Sequence, residues 1–125
     1  MGGKVEITNI YVDDHGHSYF AVMELPQSGN DRRISAKPQD VEYWQMSQML
    51  PGHYVDFARV PEPRFISVLT GRMELTVSNG EKRYFSRGDM FRLGDTTGQG
   101  HCTRVVGFEP CTTLIIALPG KGEFK

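Results

Sequence analysis

The chain has 125 residues, of which 38% are hydrophobic and 23% are charged. This length suits a single domain that buries its own core, and the composition argues against a disordered chain and against a membrane class. The formal net charge is −1, with 14 basic and 15 acidic residues and no basic run longer than Arg32-Arg33, which argues against nucleic acid as a partner.

The start of the sequence has no apolar stretch of the length that a signal peptide needs, and nowhere do about 18 apolar residues follow one another. We therefore expect a cytoplasmic protein that does not bind a membrane. Cys102 and Cys111 lie nine positions apart without CxxC spacing. In a reducing compartment this spacing predicts two free thiols.

The first two predicted strands cover residues 5–12 and 18–24, and the turn between them is Asp13-Asp14-His15-Gly16. His15 and His17 form an HxH pair of the kind that can ligate a metal. Because both lie at a hairpin tip among acidic and small polar residues, an exposed turn is the better interpretation.

The next two segments differ sharply in character. Residues 26–38 collect Pro, Ser, Gly, Asn and charged side chains, which predicts a loop or mobile arm that covers either a pocket mouth or a subunit interface. Residues 41–50 carry bulky apolar groups in both alternating registers, which predicts a strand that is buried on both faces or meets a partner subunit on one. Trp44, Met46 and Met49 are assigned to the core rather than to a pocket.

The rest of the chain reads as further short strands. Residues 53–60 predict a strand that ends at the stiff Pro61-Glu62-Pro63. Asn79-Gly80 predicts a two-residue type I′ turn. A polar loop, residues 94–100, leads to His101, and residues 119–125 form a polar tail. The remaining predicted strands are residues 64–69, 73–77, 82–85, 90–93, 104–107 and 112–118.

No segment repeats apolar residues with a helical period, and about ten short strands separated by turn residues are typical of an all-β sandwich or barrel. The prediction is therefore one all-β domain over residues 1–125.

Residues 51–105 resemble the cupin superfamily, whose domains are double-stranded β-helix or jelly-roll barrels. The first cupin motif is G-x5-H-x-H-x3-E-x6-G. Starting from Gly52, its two glycines match Gly52 and Gly71, whereas its three metal-ligand positions fall on Ala58, Val60 and Arg64.

The second cupin motif, G-x5-P-x-G-x2-H-x3-N, starts at Gly88 and reaches His101 with two extra residues; its last position is Val105. The chain is also similar to small single-domain bacterial cupins that carry a D-T-T-G-x-G-H-x-x-R loop, here residues 95–104. Of the usual three His and one Glu ligands, only His101 remains.

These departures argue against a bound metal, and we predict no cofactor. A metal needs three or four imidazoles or carboxylates around one point. Ala58 and Val60 cannot ligate, and Arg64 would place a fixed positive charge at the site. A metal would require other residues to replace the lost ligands: His53, Asp56 or Glu62.

The resemblance implies that two sets of alternating side chains point into the barrel. A buried guanidinium needs a carboxylate or a ligand anion, and a histidine beside it can move a proton. We therefore predict Arg64 and His101 as catalytic residues. The two inward sets are Ala58, Val60, Arg64, Ile66 and Val68, and His101, Thr103 and Val105. The candidate ligand contacts are Tyr54, His53, Arg59, Asp56, Trp44, Thr103 and Asp95.

A structural interpretation of the same residues stays open. Arg64 would then pair with Asp56 or Glu62, and His101 would hydrogen-bond the preceding loop. Cys102 is expected to point away from His101, which argues against a nucleophile there.

The sequence supports three functional hypotheses. The first is a homodimeric barrel that binds an anionic or carbonyl-bearing small molecule in its lumen and catalyses metal-independent isomerisation, dehydration or cyclisation, by analogy with metal-free cupins similar to sugar epimerases and cyclases. The second is a non-catalytic ligand-binding or sensing module. The third is a metal cupin, a dioxygenase or decarboxylase, with unusual ligands. A lumen closed by Trp44, Met46 and Phe65 would favour the second, or a protein that binds no ligand at all.

Overall fold

The computed structural model describes residues 4–120, and within that range the chain forms strands and turns but no helix. None of these residues forms a helix able to cross a membrane. The predicted tail lies mostly outside the described residues. The strands in chain order are β1 Glu6–Val12, β2 Ser18–Glu24, β3 Gln27–Gly29, β4 Ile34–Ala36, β5 Tyr43–Met49, β6 Tyr54–Ala58, β7 Arg64–Thr70, β8 Arg72–Thr76, β9 Lys82–Ser86, β10 Met90–Leu93, β11 His101–Val105 and β12 Cys111–Ala117.

The strands form two large sheets and one small one. The six-stranded sheet has the order β2-β1-β10-β7-β12-β5, and the four-stranded sheet has the order β6-β11-β8-β9. Within the described residues every pairing is antiparallel except that of β1 with β10, where Thr8 lies opposite Phe91 and Ile10 opposite Leu93. The predicted all-β architecture is therefore confirmed.

One apolar core lies between the two large sheets. Phe85 of the four-stranded sheet and Phe91 of the six-stranded sheet contact each other with ring centroids 4.2 Å apart. Ile66 and Val68 of β7 point into this core. Phe65, which precedes Ile66, points the other way and belongs to a second apolar cluster on the outer face of the six-stranded sheet. Strand alternation explains both placements.

The segment predicted as a loop or arm is a short hairpin. β3 pairs with β4, with Gln27 opposite Ala36. Leu25, just before the hairpin, packs against the second apolar cluster, and the Val5 N–H donates to Gln27 Oε1 over 2.6 Å. The polar composition correctly excluded a core strand but did not reveal the local pairing.

The prediction that the strand at residues 41–50 is buried on both faces is wrong, whereas its alternative, a face that meets a partner subunit, stays a prediction. β5 lies at the edge of the six-stranded sheet, and both of its faces are exposed. Trp44 is 67% exposed and Met46 is 58% exposed, while Met49 alone of the three packs against the core. Bulky residues in both alternating registers are compatible with an exposed edge strand as well as with a buried central strand, because the alternation does not reveal where in the sheet a strand lies.

The Asn79-Gly80 turn also differs from the prediction. The Gly80 N–H donates to the Val77 carbonyl and the Val77 N–H donates to the Glu81 carbonyl. The loop thus has three residues, and only Gly80 has positive φ, at 89°. A type I turn followed by a glycine in the left-handed region needs one such residue, whereas type I′ needs two.

Candidate active site

The polar loop at residues 94–100 is held in place by close backbone approaches. At Gly98 an added Cβ would lie 2.5 Å from the Gly16 carbonyl oxygen, and at Gly100 it would lie 2.1 Å from the Ala58 carbonyl carbon. The buried Ser18 hydroxyl donates to the Gly100 carbonyl over 2.6 Å. The loop therefore delivers His101 to a fixed position, and β11 begins at His101, three residues before the predicted start.

His101 forms a buried pair with Asp95. The distance between His101 Nδ1 and Asp95 Oδ2 is 2.5 Å, and the two residues are 6% and 0% exposed. A carboxylate oxygen accepts hydrogen bonds, so Nδ1–H is the donor in this pair, and the other ring nitrogen, Nε2, is directed away from Asp95. Nε2 makes no hydrogen bond within residues 4–120. The pair can therefore accept or donate a proton at Nε2.

His101 faces the barrel interior. Its cross-strand partner is Ala58, and Thr103 lies opposite Leu75, which belongs to the main core. Residues directly opposite each other in a ladder share a face of the sheet. His101 and Thr103 thus lie on the inner face, as the alternation predicts.

Arg64 is paired with Glu62 by an ion pair, and the Tyr43 hydroxyl donates to Glu62 Oε1 over 3.2 Å. The side chains of Arg64 and Glu62 are each 14% exposed. This is the structural pairing that the sequence left open. Arg64 Nε is nevertheless buried without a hydrogen-bond partner among the described residues.

Arg64 and His101 lie at the same end of the barrel, although no hydrogen bond or ion pair joins them in the part of the chain that the structure describes. Arg64 is opposite Leu93 in the β7–β10 ladder, and Asp95 follows Leu93 by two residues. The Val60 N–H donates to the Asp95 carbonyl over 3.2 Å. The six-stranded sheet contributes Arg64 and the four-stranded sheet contributes His101.

The barrel is open between β5 and β6. These consecutive strands end different sheets and are not neighbours in either. Every residue of β6 is exposed, including Val55, the cross-strand partner of Thr103, at 39%. Tyr43 on β5 is 41% exposed. Solvent therefore reaches both of these edge strands.

Tyr54 and Asp56 lie on the outer face of the four-stranded sheet, away from His101. The Tyr54 hydroxyl contacts Asp56 Oδ1 at 3.3 Å and Cys102 Sγ at 3.6 Å, and the Arg104 guanidinium lies 4.7 Å from the Tyr54 ring centroid. The hydrogen bond with Cys102, together with desolvation and the Asp56 charge, raises the pKa of Tyr54 to about 12. The Phe57 N–H, and then the Tyr54 hydroxyl, lower the pKa of Asp56. Cys102 points away from His101, as expected.

The remaining predicted contacts are spread around the opening. His53 lies exposed in the turn between β5 and β6, and Arg59 lies exposed just after β6. Trp44 is on the outer face of β5, since its cross-strand partner Ile116 packs against the outer cluster. The structure thus brings together Asp95, His101 and Thr103, with Arg64 nearby. The sequence analysis did not identify Tyr43 as a residue near the site. The available indication was its position in the register of β5 that faces the barrel interior.

The donor set does not fit a metal. Ala58 and Val60 occupy two of the ligand positions that the resemblance implies, and Arg64 at the third is ion-paired. Ala58 lies directly opposite His101, which agrees with the alignment of the two motifs. Among residues 4–120 no three His, Cys, Asp or Glu side chains converge in a way that would hold a metal ion.

Several solved structures of cupin domains are similar to this chain in fold. A cupin domain from Bordetella pertussis is 12% identical, with 96% of this chain and 99% of that chain aligned and a TM-score of 0.50. A cupin 2 conserved barrel domain protein from Rhodopseudomonas palustris is 13% identical, with 95% and 74% aligned and a TM-score of 0.53. The Cnp3 cupin domain from Schizosaccharomyces pombe is 14% identical, with 93% and 89% aligned and a TM-score of 0.51.

No protein-family model and no curated protein matches the sequence. At identities of 12–14% the structural likeness concerns the fold and carries no residue roles. The chemistry has to be argued from the side chains of this chain.

Proposed function

Because the chain has the double-stranded β-helix fold of cupin domains, we propose that it is a small-molecule enzyme that transfers protons at His101 Nε2 without a metal. The substrate enters between β5 and β6. The reaction class is proton transfer next to a carbonyl group, as in isomerisation, dehydration or cyclisation.

The buried Asp95–His101 pair supports this proposal. Burying a carboxylate and an imidazole is costly unless they are paired. Here the carboxylate fixes the ring through Nδ1 and stabilises the imidazolium that forms when Nε2 takes a proton. Asp95 thereby acts as a positioning residue for His101 rather than as the ligand contact that the sequence indicated.

Arg64 supplies the second half of the proposed chemistry. Glu62 neutralises its charge and holds the guanidinium, while the buried Nε–H has no partner among the described residues. An unpaired buried donor costs about 1–3 kcal/mol, and a substrate oxygen bound there would remove that cost. Arg64 then orients the carbonyl or carboxylate oxygen, and His101 moves the proton.

The test is proton exchange in heavy water, followed by ¹H NMR on three probe classes: 2-oxo acids, 3-oxo acids, and aldoses with their matching ketoses. We expect the protein to accelerate C–H exchange in at least one class, and His101→Gln to lower that rate about 10²- to 10⁴-fold, the usual contribution of a general acid–base group. His15→Gln, at an exposed histidine in the turn between β1 and β2, is the matched control and should keep the rate. A His101→Gln variant with full exchange activity would refute the assignment.

A non-catalytic binding module is the second candidate, and the Glu62–Arg64 ion pair favours it, because a neutralised guanidinium contributes less to a developing negative charge. Ligand-observed NMR with the same probes separates the two functions. Saturable binding without exchange, weakened by His101→Gln, would establish the binding module in place of the enzyme.

A further inference from the structure

The four edges of the two large sheets differ in charge. β2, β6 and β9 each carry at least one charged side chain: Glu24 in β2, Asp56 in β6, and Lys82 and Arg83 in β9. β5 has the sequence YWQMSQM, with no charge and no proline over seven residues. Charged residues on an edge strand oppose pairing with another chain, and an uncharged apolar edge permits it.

The exposed side chains of β5 are also unusually large. Trp44 and Met46 lie on the outer face, 67% and 58% exposed. Their cross-strand neighbours on β12, Ile116 and Leu114, continue this apolar surface on the same outer face, toward the centre of the sheet. A long, uncharged edge flanked by such side chains has the features of a surface that is covered in the assembled protein.

We propose that β5 pairs with β5 of a second copy of this chain, antiparallel and about a twofold axis. Such an interface uses the same surface of both copies, so it has to be self-complementary. Full overlap of the seven residues centres the pairing on Met46. Met46 then lies opposite Met46 of the second copy, and Trp44 lies opposite Gln48. This inference is independent of the chemistry proposed for His101.

The charges near β5 are compatible with this register. The closest charge along the sequence is Glu42, one residue before the strand. Glu62, which accepts a hydrogen bond from the Tyr43 hydroxyl, is neutralised by Arg64. Antiparallel overlap about Met46 sets the two copies of Glu42 eight residues apart along the strand direction, roughly 27 Å. This separation exceeds the screening length of about 8 Å at physiological ionic strength, so the two carboxylates do not oppose the pairing.

Sedimentation velocity tests the proposal. We expect the wild-type chain to sediment at twice its 14.1 kDa mass, and Met46→Lys to sediment as a monomer with an unchanged circular dichroism spectrum. Val22→Lys is the matched control, because Val22 is 61% exposed on β2 at the opposite edge of the same sheet; it should leave the dimer intact. A monomeric wild type at about 100 μM, or a dimer lost in Val22→Lys and kept in Met46→Lys, would overturn the proposal.

A cysteine variant tests the register of the β5–β5 pairing without introducing a charge into the strand. In directly opposed antiparallel residues the Cα atoms lie about 4.5–5.5 Å apart, within the range of a disulfide. Met46→Cys should therefore form a covalent dimer on mild oxidation, whereas Gln48→Cys, which is opposite Trp44, should not. Cys102 and Cys111 are buried and free, so they do not compete. Cross-linking of Gln48→Cys in preference to Met46→Cys would contradict the register.

Discussion

Gly100 shows how much a single residue can constrain the candidate site. Its φ of +82° lies in the left-handed region, and an added Cβ would lie 2.1 Å from the Ala58 carbonyl carbon. Both the backbone conformation and the space therefore require glycine. Since His101 follows directly, any displacement of residue 100 moves the Asp95–His101 pair.

We expect Gly100→Ala to lower the free energy of unfolding by about 2–5 kcal/mol, the sum of left-handed strain and overpacking. Gly52→Ala is the control for strain alone, because Gly52 has φ +86° and no atom within 4 Å of an added Cβ. It should cost about 1–2 kcal/mol. Urea unfolding followed by tryptophan fluorescence measures both. Equal losses in the two variants would mean that the β6 backbone yields to the added methyl group.

Individual residues were predictable where a local motif fixed them. His101 was identified because a glycine-rich loop precedes it, and Glu62 was one of the two partners proposed for Arg64, two positions away. The hydrogen bond between His101 and the preceding loop was proposed as the structural alternative and is confirmed. The complete burial of Asp95 was not predicted, because it depends on how the loop folds back. The exposure of Trp44 was missed because a side chain does not reveal whether its strand lies at an edge.

The loop at residues 94–100 is the element on which the site depends most. Its anchor is Ser18, the first residue of β2, whose hydroxyl donates to the Gly100 carbonyl and accepts from the Ser78 N–H over 3.1 Å. Ser78 Oγ in turn accepts from the Ser18 N–H over 2.7 Å. The loop, the first hairpin and the Ser78 turn are therefore coupled by hydrogen bonds.

Ser18→Ala removes this anchor and leaves the Gly100 carbonyl without its donor. We expect a loss of about 1–3 kcal/mol in the free energy of unfolding, the usual cost of an unsatisfied buried group. Amide hydrogen exchange should speed up across residues 96–100 more than in β12. Ser28→Ala, at an exposed serine of β3, should change neither quantity. Unchanged exchange in the loop of Ser18→Ala would show that the glycine contacts alone hold it.

The strands were more predictable than their arrangement. Period-two alternation and turn residues placed β1, β2 and β7 to within one residue of their observed ends. The hairpin of β3 and β4 was missed because its short strands have no apolar alternation to detect. Strand order, which decides that β5 and β6 are edges, arises from pairings between distant segments and leaves no local pattern.

At the scale of the whole molecule, a single core joins the two large sheets. Phe91 is 1% exposed and contacts Phe85 across the sandwich. We expect Phe91→Ala to lower the free energy of unfolding by about 3–5 kcal/mol, a large share of the total stability of about 5–15 kcal/mol that is typical of such domains. Calorimetry should show one cooperative transition at a lower Tm for both sheets.

Phe108→Ala is the matched control for that substitution. Phe108 is 99% exposed, so its removal should change the free energy of unfolding by less than about 0.5 kcal/mol. Two separate transitions in Phe91→Ala would contradict the shared core, because the sheets would then unfold independently.

The fold class followed from the sequence because short alternating runs and frequent turns leave little besides an all-β sandwich or barrel. The cupin resemblance narrowed this further through two glycines and one histidine. The opening between β5 and β6 was not predictable, since it depends on strand order, which neither motif encodes, and since β5 lies outside both motifs.

The parallel pairing of β1 with β10 also affects how the chain is made. Asn9 and Arg92, which are hydrogen-bonded across this pair, are 83 residues apart. At about 5–20 residues per second, a ribosome adds β10 roughly 4–17 seconds after β1. During this interval the hairpin of β1 and β2 has left the exit tunnel, or lies near its mouth, with Ile10 and Phe20 uncovered, because the sheet that buries them has not been synthesised. We therefore expect nascent chains to expose, for several seconds, apolar side chains of the kind that ribosome-associated chaperones bind.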